Sequence, residues 1–213
     1  MTAKVKQSAP HRLIVEGRDD QWSIIALTTK NGWDWNHPAP HLPYIDNAEG
    51  FQKALEAIAI SVRTYARVGI VLDADLVLMD RWNAVRTRLS HSGLTLPDAP
   101  DPDGTIVEGH GKRFGVWLMP DNQNPGKLED FLAVLVPPGD CCWPWAEQAT
   151  LKAQKEHGAS FSGPDTIKAQ IHTWLAWQPE PGLPFGTAIT AATFAHHATL
   201  ATMFVKWMTQ LYT

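Results

Sequence analysis

The chain has 213 residues, 44% of them apolar and 19% charged, which suits one sizeable core in an ordinary globular protein. Its net charge of −4 excludes a broad electrostatic footprint for nucleic acid and leaves room only for a local basic groove. No apolar run reaches the length of a membrane span, and residues 1–10 lack the apolar centre of a signal peptide, so a cytoplasmic protein without membrane contact is expected.

Residues 1–10 are polar and are expected to fray. His11-Arg-Leu-Ile-Val-Glu16 is a short apolar run that ends in a carboxylate. Gly17 follows and lets a strand turn at once into a helix. Asp19 and Asp20 fall at the start of that helix, ahead of Trp22-Ser-Ile-Ile-Ala-Leu27. Asp19 reads as a cap; Asp20, four residues after Glu16, reads equally as a cap or as a second oxygen donor to a shared cation. Residues 31–47 form a loop punctuated by Gly32, Pro38, Pro40 and Pro43, with a short strand at Tyr44-Ile45. Across 48–67, Phe51, Leu55, Ile58 and Val62 recur at helical spacing.

Val68-Gly-Ile-Val-Leu-Asp-Ala-Asp75 is an apolar, β-branched run without alternation, the pattern of a strand covered on both faces. Ligands of open α/β sheets bind beyond the carboxyl ends of strands. Strand alternation puts Asp73 and Asp75 on one side, within reach of one hard cation. An Asp-rich turn or helix cap would need only one of them. Residues 76–90 follow as a helix with Arg81, Arg86 and Arg88 on its polar surface.

Thr105-Ile-Val-Glu108 and Arg113-Phe-Gly-Val-Trp-Leu-Met119 read as a hairpin-like pair, with His110 exposed in the turn. The second strand ends at Pro120-Asp121-Asn122, a third acid beyond an apolar run. Leu128-Glu-Asp-Phe-Leu132 opens a helix whose Glu129 and Asp130 lie in the first turn, where the dipole favours acids regardless of function. The adjacent Cys141 and Cys142 lack disulfide geometry and metal-ligand spacing, and are expected to stay reduced. Further helices are expected over 146–157, 164–177 and 193–212, the last carrying His196-His197, with a Pro/Gly-rich stretch over 178–185. Trp33, Trp35, Trp143, Trp145, Trp174 and Trp177 come in near pairs that suit interface packing better than base stacking. Strands alternating with helices predict a single α/β domain with a mostly parallel sheet, its core over about 11–135 and a C-terminal helical part over about 146–213 packed on it.

Three kinds of site place Asp-x-Asp at a strand end. The haloacid-dehalogenase phosphatases resemble this stretch through Asp73, Asp75 and Val77, but Thr105, Lys112 and Asp140, the residues available as partners, stand in no matching context. Nucleotide-sugar glycosyltransferases share the Asp-x-Asp alone. The Toprim fold of topoisomerases, primases and several nucleases joins an apolar strand ending in Glu-Gly to a second ending in Asp-x-Asp. Leu13-Ile-Val-Glu-Gly-Arg-Asp-Asp20 and Ile70-Val-Leu-Asp-Ala-Asp75 resemble both motifs, in order. Val116-Trp-Leu-Met-Pro-Asp-Asn122, Gly126-Lys-Leu-Glu-Asp-Phe131 and Lys168-Ala-Gln-Ile-His-Thr-Trp-Leu-Ala-Trp177 extend the likeness. Nearly the whole chain is similar to a family of small stand-alone bacterial Toprim proteins of uncharacterised function, distantly similar to the Toprim half of overcoming-lysogenisation-defect nucleases.

The resemblance implies a Toprim-like, Rossmann-like fold in which Glu16, Asp20, Asp73 and Asp75 bind Mg2+ or Mn2+. Glu129 and Asp130 would complete the shell or only begin their helix, and Lys168 would contact the scissile phosphate, with Lys152 and Lys155 competing for that role. The implied activity is Mg-dependent phosphodiester hydrolysis on DNA or RNA, with Glu16, Asp73, Asp75 and Lys168 catalytic, in phage defence or nucleic-acid repair. The alternative is a non-catalytic Toprim-fold binding or regulatory module. The chain has no Gly-x-x-x-x-Gly-Lys motif, so it would act alone, as a homo-oligomer, or with a separate partner protein. Tyr44, Tyr65 and Tyr212 are not placed for topoisomerase chemistry.

Overall fold

Two apolar runs make the centre of the sheet. β1 (His11–Val15) and β3 (Arg67–Asp73) pair in parallel, Leu13 opposite Gly69 and Val15 opposite Val71. β2 (Tyr44–Asn47) adds in parallel outside β1, and β5 (Lys112–Met119) in parallel outside β3. β4 (Thr105–Gly109) closes the far edge, antiparallel to β5. The order β2-β1-β3-β5-β4 is a mostly parallel α/β sheet of Rossmann-like type. The computed structural model describes residues 9–37, 39–90 and 92–213; the polar start up to residue 8, expected to fray, and Pro38 lie outside the described residues.

Helices cover both faces, which is why β3 is apolar throughout rather than alternating. On one face Ile14, Ile70, Leu72, Phe114 and Leu118 pack under α2 (Phe51–Thr64) and α3 (Leu78–Leu89). On the other, Leu13, Val15, Val71, Trp117 and Met119 meet α1 (Arg18–Lys30), α4 (Leu128–Val134) and α8 (Thr199–Tyr212). Outside these on the same side stand α5 (Trp143–His157), α6 (Thr166–Leu175) and α7 (Phe185–Thr190). The C-terminal helices therefore share the core of the sheet domain.

Gly69 and Gly115 are cross-strand neighbours and explain how closely α8 approaches. A Cβ on Gly69 would lie 2.7 Å from the Tyr212 hydroxyl, and one on Gly115 2.7 Å from Leu211 Cδ2. The Tyr212 hydroxyl donates to the Arg12 carbonyl at 2.8 Å, and the Arg67 guanidinium donates to the Tyr212 carbonyl. Trp33, Trp35 and Trp174 are buried as the packing reading expects, Trp143 is half-buried, and Trp145 and Trp177 are exposed. Both cysteines are free thiols.

Several boundaries differ from expectation. The second helix spans 51–64 rather than 48–67, because Gly50 sits at φ 120° and Arg67 already belongs to β3. The third begins at Leu78 rather than 76, because Asp75 takes φ 52° and bridges to Gly126. The expected helix over 193–212 starts late: after the short α7, residues 191–198 form a turn, and α8 begins only at Thr199. Ala192 at φ 60° and an Ala195 N–H donated to the Leu135 carbonyl at 2.7 Å hold that turn, so His196 and His197 lie in a loop rather than on the helix.

Candidate metal site

The carboxyl ends of β1 and β3 lie side by side, and each delivers an acid to one crevice. Glu16 Oε1 accepts the Asp73 N–H at 2.9 Å, tying the residue after β1 to the last residue of β3. Asp73 Oδ1 accepts the N–H of Leu128, the first residue of α4, at 3.0 Å. Asp20 Oδ2 accepts the Gly17 N–H at 3.0 Å and caps α1, and Asp130 Oδ2 accepts the Lys127 N–H at 2.8 Å and caps α4. Two helix N-termini thus open on the crevice, and their positive dipole ends favour negative charge there. Glu129, only 7% exposed, reaches across to Lys168 of α6, Oε1 to Nζ 3.2 Å.

This much negative charge in a dry place is resisted. Burial, reinforced by Asp20, Glu16 and Glu129, pushes Asp73 up to about 8, against the opposing Leu128 N–H. Burial, with Glu16 and then Glu129, pushes Asp20 up to about 7. Burial also raises Glu16, although the Asp73 N–H, Arg81 and Lys127 favour its charge. Asp130 is raised by burial as well. Burial works against the charge on Lys168, yet Glu129 outweighs it and keeps the ammonium firmly protonated.

Glu16, Asp20, Asp73 and Glu129 therefore form one coupled acidic group in which Lys168 is the cation in direct contact. Among the described residues, no three side chains of His, Cys, Asp or Glu are gathered closely enough to hold a metal ion as they stand. The donor chemistry nonetheless fits a hard divalent cation: the donors are all carboxylate oxygens, and their excess charge is what such an ion relieves.

Asp75 behaves differently from the alternation argument. β3 ends at Asp73, and the left-handed backbone of Asp75 sends its carboxylate to the Arg81 guanidinium, whose Cζ lies over the Phe51 ring 3.7 Å from its centroid. It still stands near enough to Glu16 to oppose its ionisation. Asp121 serves its own turn, accepting the Asn124 N–H at 2.8 Å. Lys152 pairs with Glu156 at 3.7 Å and Lys155 is exposed on α5, so of the three lysines it is Lys168 that the fold brings to the acids. The residues considered for a haloacid-dehalogenase site are engaged elsewhere. Thr105 accepts the Asp101 N–H, Lys112 donates to the Tyr65 carbonyl at the opposite end of the sheet, and Asp140 caps α5.

Arg81, Lys127 and the Leu128 N–H shape this site without a signal in spacing. Arg81 lies on a helix surface that reads as ordinary solvated charge, and a backbone N–H leaves no trace in composition. The chain belongs to the family described as protein of unknown function (DUF3226), whose model matches residues 10–213. No curated protein and no solved structure matches the chain. Among the described residues no helix is long and apolar enough to cross a membrane.

Proposed function

We propose that this member of the DUF3226 family is a Toprim-type phosphodiesterase that acts on nucleic acid with Mg2+ or Mn2+ held by Glu16, Asp20 and Asp73. The observation that supports it most is the Glu16 carboxylate bonded to the Asp73 N–H, with Asp20 and Glu129 beside them, in a crevice too poor in cations to balance them. When bound, the divalent cation supplies the charge that makes water a nucleophile at neutral pH and steadies the leaving oxygen of a phosphodiester. Glu16 and Asp73 present oxygen donors from neighbouring strand ends, and rigid strands fix their separation. Asp20 and Glu129, buried beside them, add to the negative charge of the site. Lys168 stands half-exposed at the rim, where its ammonium meets the scissile phosphate. Asp75 acts through Arg81 rather than as a ligand. Asp130 begins its helix. Without an ATPase motif, the protein works in the cytoplasm alone, as a homo-oligomer or with a partner protein, in phage defence or nucleic-acid repair.

Incubation with end-labelled single- and double-stranded DNA and RNA tests this. Cleavage in Mn2+ or Mg2+ that EDTA stops and added metal restores is expected. Cleavage that persists in EDTA overturns the proposal. So does binding of any of these substrates without cleavage, which instead favours a non-catalytic binding or regulatory module.

A further inference from the structure

Beside the acids, on the Asp75 side, a cleft of ≈ 850 Å3 runs between the segment joining β3 to α3, the start of α4 and the start of α6. From its geometry we infer that this cleft seats one unpaired nucleotide, its base against the Arg81 guanidinium and its phosphate between Lys127 and the acidic crevice. The inference rests on the phosphodiesterase reading and names the part of the substrate that the site grips.

The floor of the cleft is a stacking surface. Arg81 Cζ lies over the Phe51 ring, 3.7 Å from its centroid, its guanidinium is paired with Asp75, and all three residues line the cleft. Arginine planes and aromatic rings are the platforms on which unpaired bases stack. The walls are apolar where a base would lie. Leu76 and Val77, immediately after Asp75, are 77% and 51% exposed, and Ile167 faces them from α6. An aliphatic pair so exposed next to a charged site is unusual for a segment that packs against nothing in the core.

The cleft is lined by the cations Arg81 and Lys127 and by Asp75, Asp80 and Asp130, of which Asp75 is taken up by Arg81 and Asp130 by the Lys127 N–H. Lys127 lines the same cleft, and its ammonium is held only loosely by Asp165 at 3.8 Å, so it is free to turn to a phosphate. The volume lies within the range of small-ligand clefts, about 300–1,000 Å3. A paired duplex offers no free base face to such a floor, so the ligand is a single nucleotide or the unpaired end of a strand. The two share one chemistry, and the titration below separates them. The chain's net charge of −4 likewise disfavours a long tracked backbone and leaves recognition to one nucleotide at a local site.

The test is a titration of the 15N-labelled full chain, in Ca2+, with a 5′-mononucleotide, a short single-stranded oligodeoxynucleotide and a blunt duplex, followed by backbone amide shifts. The amides of Leu76, Val77 and Ile167 are expected to move with the first two and not with the duplex. Saturation by the mononucleotide alone identifies a free nucleotide as the ligand, and tighter binding of the oligonucleotide identifies a strand end. Arg81→Ala and Leu76→Asp are each expected to weaken binding about tenfold or more. Leu76→Asp, at an exposed position, keeps the test valid if Arg81→Ala disturbs the fold. Duplex binding equal to single-strand binding, or an affinity that neither substitution changes, overturns the inference. A parallel Mn2+ titration by calorimetry separates the two ideas: metal binding without nucleotide shifts removes only the cleft, and nucleotide shifts without metal binding remove only the metal site.

Discussion

Replacing Asp73 with asparagine is expected to abolish Mn2+ binding in the crevice and to lower metal-dependent cleavage by on the order of 10²–10³-fold, with the fold unchanged. Asparagine keeps the size of the side chain and its Oδ1, so the bond accepted from the Leu128 N–H at 3.0 Å survives. What it removes is the charge that Asp20, Glu16 and Glu129 all oppose. A cation is drawn to the site by that concentration of charge, and Asp73 lies at its centre, in contact with both strand end and helix start. Asp121→Asn is the matched control. It neutralises an acid at the end of a neighbouring strand that serves only its own turn, and it should leave both quantities at the wild-type level. Calorimetric titration with Mn2+ beside an initial-rate assay gives the answer. An Asp73→Asn protein that binds Mn2+ as tightly as wild type contradicts the assignment.

The second large effect is on stability, and its direction is opposite to that of an ordinary salt-bridged acid. Asp73 and Asp20 sit near the ordinary aspartate value of 3.8 when unfolded and are pushed up to about 8 and about 7 when folded. Between those limits the folded chain holds protons that the unfolded chain has released, so metal-free stability falls as pH rises from about 4 through about 8. Below the unfolded value neither state is charged, and nothing is lost. The midpoint of thermal unfolding without metal is expected to drop by roughly 5–10 °C between pH 5.5 and pH 8.5, about 2–3 kcal/mol for a chain of this size. Saturating Mg2+ should recover most of the loss at the upper pH, because binding replaces the proton with a divalent charge. His11 works the other way: burial lowers its pKa, so its contribution to stability rises as pH rises through the ordinary histidine range. Comparing wild type with Asp73→Asn isolates the acidic group, and the variant should show the flatter profile. A wild-type profile as flat as the variant's would contradict the coupled acidic crevice.

How much of this was legible in the residues follows from which signals are local. β1 and β3 are unbroken apolar runs, and each closes with a carboxylate, so both the strands and the acids at their ends can be read directly. That the two strands are neighbours was implied only by the resemblance, since β1 and β3 are not consecutive in the chain; the sheet order places them side by side. Glu129 at a helix start could be seen as an acid, but its reach to Lys168 of α6 depends on how the C-terminal helices fold back. Asp75 could not be placed by alternation. The strand stops two residues earlier, and a left-handed turn bridged to Gly126, 51 positions on, is a tertiary fact. The break between α7 and α8 was equally hidden. Residues 191–198 carry no proline or glycine, and the turn is held by a bond to Leu135, the residue that ends α4. Tryptophan pairing gave packing correctly for Trp33, Trp35 and Trp174 because large rings close a core, whereas Trp145 and Trp177 end outside it.

The site's position also shows how the crevice accommodates so many acids. Glu16, Asp20, Asp73 and Asp130 each accept a backbone N–H: that of Asp73, Gly17, Leu128 and Lys127 respectively. Backbone donors and helix dipoles satisfy the oxygens without neutralising them. Burial and the neighbouring acids push Asp73 up to about 8, so on the proposed reading a cation that binds there displaces a proton, and its affinity is expected to rise with pH.

The central claim is that a divalent cation belongs between the ends of β1 and β3. Anomalous diffraction from a crystal soaked in Mn2+ addresses it most directly. The account predicts a peak touching the carboxylates of Asp73 and Glu16, with Asp20 in or next to its shell and Asp75 still on Arg81. A crevice without anomalous signal in a crystal that takes up Mn2+ elsewhere, with Glu16 still on the Asp73 N–H, would contradict it.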